Sequence, residues 1–165
     1  MTAYEEFIQA NRKYLDSFKS GGVPILPKRH VAIVTCMDAR IHPEKFLGLE
    51  IGDAHIIRNA GGRVSEDAIR SLVISQRLLG TTEVVVIHHT DCGMVTFTNE
   101  QLSAKIKAEL GVETHLDFLP FTDLEKSVKE DVQILRQSPL IPKNFPISGG
   151  YYDVKTGKLV DVIRA

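Results

Sequence analysis

A chain of 165 residues has the length of one domain, and 43% hydrophobic with 25% charged residues is the composition of an ordinary folded protein with a buried core. A net charge of −1 leaves no basic surface to follow a phosphate backbone, and no apolar run approaches the ~20 residues that span a bilayer. Nucleic acid and membrane are therefore excluded as partners.

The segment from Met1 to Gly22 has no basic stretch followed by an apolar one and carries Glu5, Glu6 and Asp16, which predicts a cytoplasmic protein. Tyr4, Phe7, Ile8, Asn11, Leu15 and Phe18 recur in it at helical spacing, so an amphipathic helix ended by Gly21-Gly22 is expected. Its apolar stripe either packs on its own domain or forms an arm on a second subunit. His30 to Thr35 is a short β-branched run, as in a strand buried on both faces, and Cys36 follows at its end. Ala54-His55-Ile56-Ile57 is a second strand, leading through Asn59-Ala60-Gly61-Gly62 to a helix opened by Ser65-Glu66-Asp67 and ended by Gly80. A third strand runs from Glu83 to His88 and gives way to Thr90-Asp91-Cys92-Gly93. Thr98-Asn99-Glu100-Gln101 caps a helix to Gly111, and Thr122 to Gln137 reads as another. Phe145 to Val154 and Leu159 to Ile163, joined by Lys155-Thr156-Gly157-Lys158, predict a strand, a tight turn and an edge strand. Alternating strands and helices imply an α/β fold: a mostly parallel sheet flanked by helices, one domain over 1–165, with 1–22 as an N-terminal helical arm.

Cys36 and Cys92 are the only cysteines, and a reducing cytosol disfavours joining them as a disulfide. Both fall at C-terminal strand ends, where ligands bind in open parallel sheets. If the first and third strands are neighbours, Cys36 from one turn can meet His89 and Cys92 from the other. Two thiolates and an imidazole are a donor set that zinc accepts in tetrahedral geometry. Three ligands leave one position open, as in catalytic rather than structural zinc sites. His88 and His89 are consecutive on a strand and point to opposite faces, and the His-x-x-Cys register selects His89. His30, His42, His55 and His115 are read as surface or hydrogen-bonded residues.

Cys36-Met37-Asp38-Ala39-Arg40, then Arg58-Asn59-Ala60-Gly61-Gly62, then His89-Thr90-Asp91-Cys92-Gly93 resemble, in order, the motif set of β-class carbonic anhydrases. The likeness runs from about His30 to Gly111, with a weaker match over Ser148 to Leu159. It implies one zinc per chain on Cys36, His89 and Cys92, an Asp38–Arg40 dyad beside the metal, and a substrate pocket lined by Gly61 and Gly62. It also implies a homodimer or an assembly of dimers, with the active site near the subunit interface. The expected reaction is hydration of carbon dioxide to bicarbonate by a hydroxide held on zinc. Hydrolysis of carbonyl sulfide or carbon disulfide on the same site, releasing hydrogen sulfide, is the alternative, since compact relatives do either.

Two thiolates cancel the charge of zinc, so bound water is less acidified than in an all-histidine site and gains from a nearby hydrogen-bond acceptor. Asp38, two residues past a ligand, is placed to be that acceptor. A free carboxylate there also competes for the metal, and the planar cation of Arg40 is suited to hold it away. Two other classes compete with this reading. A nucleotide-binding βαβ unit is disfavoured, because Asn59 to Arg63 lacks the Gly-x-Gly-x-x-Gly fingerprint and the Gly-Lys-Ser/Thr ending. A non-enzymatic zinc-bearing interaction protein calls for a closed fourth position.

Overall fold

The computed structural model describes all 165 residues. Its centre is β1, Val31–Cys36, in which five of six residues are buried. β2, Ala54–Asn59, pairs in parallel with one edge of β1, Cys36 opposite Asn59. β3, Glu83–His89, pairs in parallel with the other edge. β4, Ile147–Tyr152, adds in parallel to β3, and β5, Leu159–Ile163, closes the sheet as an antiparallel edge. The order is β2-β1-β3-β4-β5. From β1 the chain moves outward to β2, then returns to lay β3 on the opposite side. Strand order reverses between β1 and β3, and their C-terminal ends flank the crevice where ligands bind in such sheets.

Four main helices and a short one complete the chain. α1 is Ala3–Leu15, and the single turn α2 is Pro43–Phe46. α3, Glu66–Leu78, starts on a Ser65 cap whose side chain accepts the Ala68 N–H. α4, Asn99–Leu110, starts on a Thr98–Gln101 capping box and ends on left-handed Gly111. α5 is Leu124–Gln137. Alternate strand positions Ala32, Val34, Val84, Val86 and Ile147 point to one face, where Ala68 and Leu72 of α3 and Val132 and Leu135 of α5 cover them. Each large side chain so removed from water contributes about 1.5–3 kcal/mol. α5 closes on β4 because Gly149 has no side chain: a Cβ there would stand 2.7 Å from Val128 Cγ1.

The fold agrees with the sequence reading in class, strand order along the chain and the N-caps of α3 and α4, and differs at several boundaries. α1 stops at Leu15 with Asp16 as its cap, well before Gly21-Gly22. β3 continues through His89, because the ladder to β4 pairs His88 with Tyr151 and His89 with Tyr152. α5 begins after Asp123, whose side chain accepts the Lys126 N–H, so Thr122 lies outside it. The apolar stripe of α1 does not pack on its own domain: no residue of the helix is buried, and Tyr4, Phe7 and Leu15 are 71%, 67% and 61% exposed. No helix is long and apolar enough to cross a membrane.

Candidate metal centre

β1 delivers Cys36 and β3 delivers His89 to the same end of the sheet, and Cys92 follows three residues later, just before the short turn Gly93–Val95. The three residues are buried, and their candidate ligand atoms lie within 4.8 Å of one another, a group able to hold a metal ion. The pleat puts His88 and His89 on opposite faces. His89 joins the cysteines, whereas His88 turns to α5, with its Nδ1 2.8 Å from Ser127 Oγ and its Nε2 3.0 Å from Asp131 Oδ2.

His89 is aimed. Its Nδ1 donates to the Thr90 carbonyl at 2.8 Å, which leaves Nε2 to face the sulfurs. That Nε2 is buried without a hydrogen-bond partner. An orphaned imidazole nitrogen beside two thiols is the donor set of a zinc site, and the hydrogen bond at Nδ1 is the kind that fixes the tautomer of a metal-binding histidine. The neighbouring Cys92, against burial and with help from His89, lowers the Cys36 thiol from its ordinary value. Cys36 and burial push the Cys92 thiol up. For His89 burial is the largest influence and depresses it, but Cys36, Thr90 and Asp38 outweigh burial and raise it.

Asp38 and Arg40 are paired beside this group. Arg40 Nη2 is 2.7 Å from Asp38 Oδ2, and Arg40 Nε and backbone N–H reach Asp38 Oδ1 at 3.0 and 2.8 Å. The Arg40 side chain thereby holds the Asp38 carboxyl well below the usual carboxylate range. Asp38 Oδ2 stands 3.7 Å from His89 Nε2.

Sequence reading missed the rest of the guanidinium's work. Arg40 Nη1 donates to Asp91 Oδ2 at 2.7 Å and Nη2 to the Asp91 carbonyl at 2.8 Å, joining the turns that follow Cys36 and His89. Asp91 has φ +55°, left-handed for a residue with a side chain. The one available signal was its place between His89 and Cys92. Arg58, at the end of β2, donates to the Cys36 carbonyl at 3.0 Å and the Asp38 carbonyl at 2.7 Å and so pins the first turn.

Gly61 and Gly62 form a 3₁₀ turn with φ +78° and +67°. A Cβ on Gly62 would stand 2.9 Å from the Cys36 backbone nitrogen, and one on Gly61 2.8 Å from Met94 Cγ. The glycines thus lie directly against the centre as close-packed backbone. Around it Ile41, Met94 and Phe121 share an apolar cluster with the two cysteines. Of the other histidines, His30 reaches the Gly80 carbonyl at 2.9 Å and His55 the Ser75 hydroxyl at 2.7 Å.

With this geometry in view, the comparisons with known proteins agree. The carbonic anhydrase family profile matches residues 31–119. β-Carbonic anhydrase 1 of Mycobacterium tuberculosis is 42% identical over 162 residues, 98% of this chain and 99% of the relative. The carbon disulfide hydrolase of an Acidianus strain is 38% identical, over 93% of this chain and 88% of the relative. The crystal structure of a carbonic anhydrase from Streptococcus mutans superposes with a TM-score of 0.95 at 55% identity, over 98% of each chain.

Proposed function

The chain belongs to the β-carbonic anhydrase family of enzymes, and from that premise we propose that it hydrates carbon dioxide to bicarbonate at a zinc centre held by Cys36, His89 and Cys92. The observation that carries the proposal is the convergence of those three buried residues around an unpartnered His89 Nε2, with the Asp38 carboxylate 3.7 Å away. Zinc in that place supplies the Lewis acidity that makes water a nucleophile near neutral pH.

The chain's own residues do the orienting. Asp38 stays ionised because Arg40 grips it, so its Oδ2 accepts a hydrogen bond from the attacking water and aims the water's lone pair at the carbon of a small linear substrate. Arg40 also keeps that carboxylate from turning onto the metal. Gly61 and Gly62 offer backbone without side-chain bulk beside the site, and Ile41, Met94 and Phe121 supply apolar walls. The functional unit we propose is one domain over 1–165, with 1–22 as an arm that packs on a second copy. The ligand role of two thiols fits a reducing, cytosolic compartment.

A second reading has support from the similarity to a carbon disulfide hydrolase: the same site hydrolyses carbonyl sulfide or carbon disulfide with release of hydrogen sulfide. The test is metal analysis with parallel kinetics on carbon dioxide, carbonyl sulfide and carbon disulfide, using one preparation. About one zinc per chain and turnover led by carbon dioxide are expected. Sulfide release with negligible carbon dioxide hydration would reverse the order of the two readings. Cys36→Ser, His89→Ala and Cys92→Ser should each lose metal and activity together, and stoichiometric zinc in Cys92→Ser would overturn the ligand set.

A further inference from the structure

Behind the metal centre, on the face of β3 opposite His89, lies an ionic cluster that the reaction does not use. Arg63 Nε and Nη2 donate to the two carboxylate oxygens of Asp131 at 2.9 and 3.1 Å. His88 Nε2 meets the same carboxylate at 3.0 Å. Arg63, His88 and Asp131 are 6%, 0% and 1% exposed.

Such a cluster is a poor way to stabilise a core. Desolvating the ions costs about what their attraction returns, and apolar residues of similar volume are often neutral or better. What distinguishes this one is the backbone it holds. Arg63 directly follows the Gly61-Gly62 turn that packs on Cys36. His88 directly precedes His89. Arg63 Nη1 also donates at 3.1 Å to the carbonyl of Leu119, a left-handed residue at φ +56°. Two residues on, Phe121 lies stacked on the His88 ring at 5.6 Å and in one apolar cluster with Cys36 and Cys92. The support of Cys36, the carrier of His89 and the Phe121 wall therefore all lead to Asp131 on α5. A strained Leu119 is kept only where its surroundings over-determine it.

We infer that Asp131 is a positioning residue: through Arg63 and His88 it holds in register the three segments that frame the metal centre. The inference rests on the reading of Cys36, His89 and Cys92 as zinc ligands. Outer partners that orient ligand-bearing groups are typically worth 10–100-fold in metal affinity or activity. The hub should show that signature separately from its effect on folding.

The test compares wild type with Asp131→Asn, which breaks the hub, and with the combined Arg63→Met, His88→Phe, Asp131→Leu chain, which replaces it by apolar side chains. Melting temperature, zinc affinity by chelator competition, the visible spectrum of the cobalt-substituted protein, and kcat and KM are measured on each. In both variants we expect at least ~10-fold weaker zinc binding, a shifted cobalt spectrum and a fall in kcat with KM within ~3-fold. The combined variant should do so while melting no lower than Asp131→Asn. A folded variant with wild-type zinc affinity and cobalt spectrum would overturn the inference. So would loss of cooperative folding in both variants, which would make the hub a part of the fold alone. Wild-type protein that binds no zinc would instead remove the reading of the site, and the inference with it.

Discussion

Asp38 Oδ2 stands 3.7 Å from His89 Nε2, near enough for the carboxylate to compete for whatever the imidazole binds, yet that oxygen is already gripped by Arg40 at 2.7 Å. Arg40 is held in turn by the side chain and carbonyl of Asp91. The Arg40 side chain is 48% exposed, and an ordinary ion pair at such a surface is worth only ~0–1 kcal/mol. Its predicted importance comes from where it stands.

Arg40→Ala should therefore keep its zinc and lose at least ~100-fold in turnover, about 2.7 kcal/mol of barrier. Removing Asp38 as well should be no worse than the worse single change, since both act through one dyad. Asp91→Asn, which tolerates the left-handed backbone, should fall between wild type and Arg40→Ala. Near-normal turnover in Arg40→Ala, measured beside its zinc content, would reduce the dyad to a turn-stabilising salt bridge.

Gly62→Ala should destabilise more than its backbone angle explains. A left-handed alanine costs roughly 1–2 kcal/mol. At Gly62 the new Cβ also meets the Cys36 nitrogen and Thr35 carbonyl carbon at 2.9 Å, and backbone atoms in a central strand cannot step aside. Gly111→Ala, at φ +71° with open space around it, is the control. Denaturant unfolding should show Gly62→Ala losing at least ~2 kcal/mol more than the control. Equal losses would show that the sheet end yields.

Deleting Met1 to Ser20 should yield monomers or aggregates, because Tyr4, Phe7 and Leu15 have nothing to cover in their own chain. Light scattering on the wild type should give at least a dimer. A soluble, fully active monomer after the deletion would make the arm dispensable.

Asp53 supplies a pH test away from the metal. The Glu50 N–H, at 3.1 Å, is the main cause of its lowered carboxyl pKa, with Arg29 assisting against burial. A depressed folded value means the stabilisation is complete above the unfolded value of ~3.9 and is lost as pH falls through the lower, folded one. The Tm gap between wild type and Asp53→Asn should thus be constant from pH 7 to about 5 and close below about 4. A gap that widened in acid would contradict the sign.

The strands were legible because β-branched runs such as Val31 to Thr35 bury both faces, and the meeting of Cys36, His89 and Cys92 because they sit where such runs end. The pleat separated His88 from His89, and the His-x-x-Cys register chose between them. What stayed hidden were partnerships between distant positions: Arg40 with Asp91, 51 residues apart, and Arg63 with Asp131, 68 apart. No periodicity announces those. The early end of α1 was missed for a related reason, since an apolar residue such as Phe18 keeps helical spacing in the sequence after the helix has stopped.

The parallel pairing of β1 with β3 also bears on how the molecule is made. These strands are neighbours in space, but β2 and α3 intervene along the chain, so the crossover must close before Cys36 meets His89. Non-local parallel pairing is slow because loop entropy is lost before its contacts form. Zinc competence should accordingly be among the last properties a refolding chain acquires, appearing after helix formation and collapse. A nascent chain still in the ribosome, with β3 untranslated, has one thiol and no site.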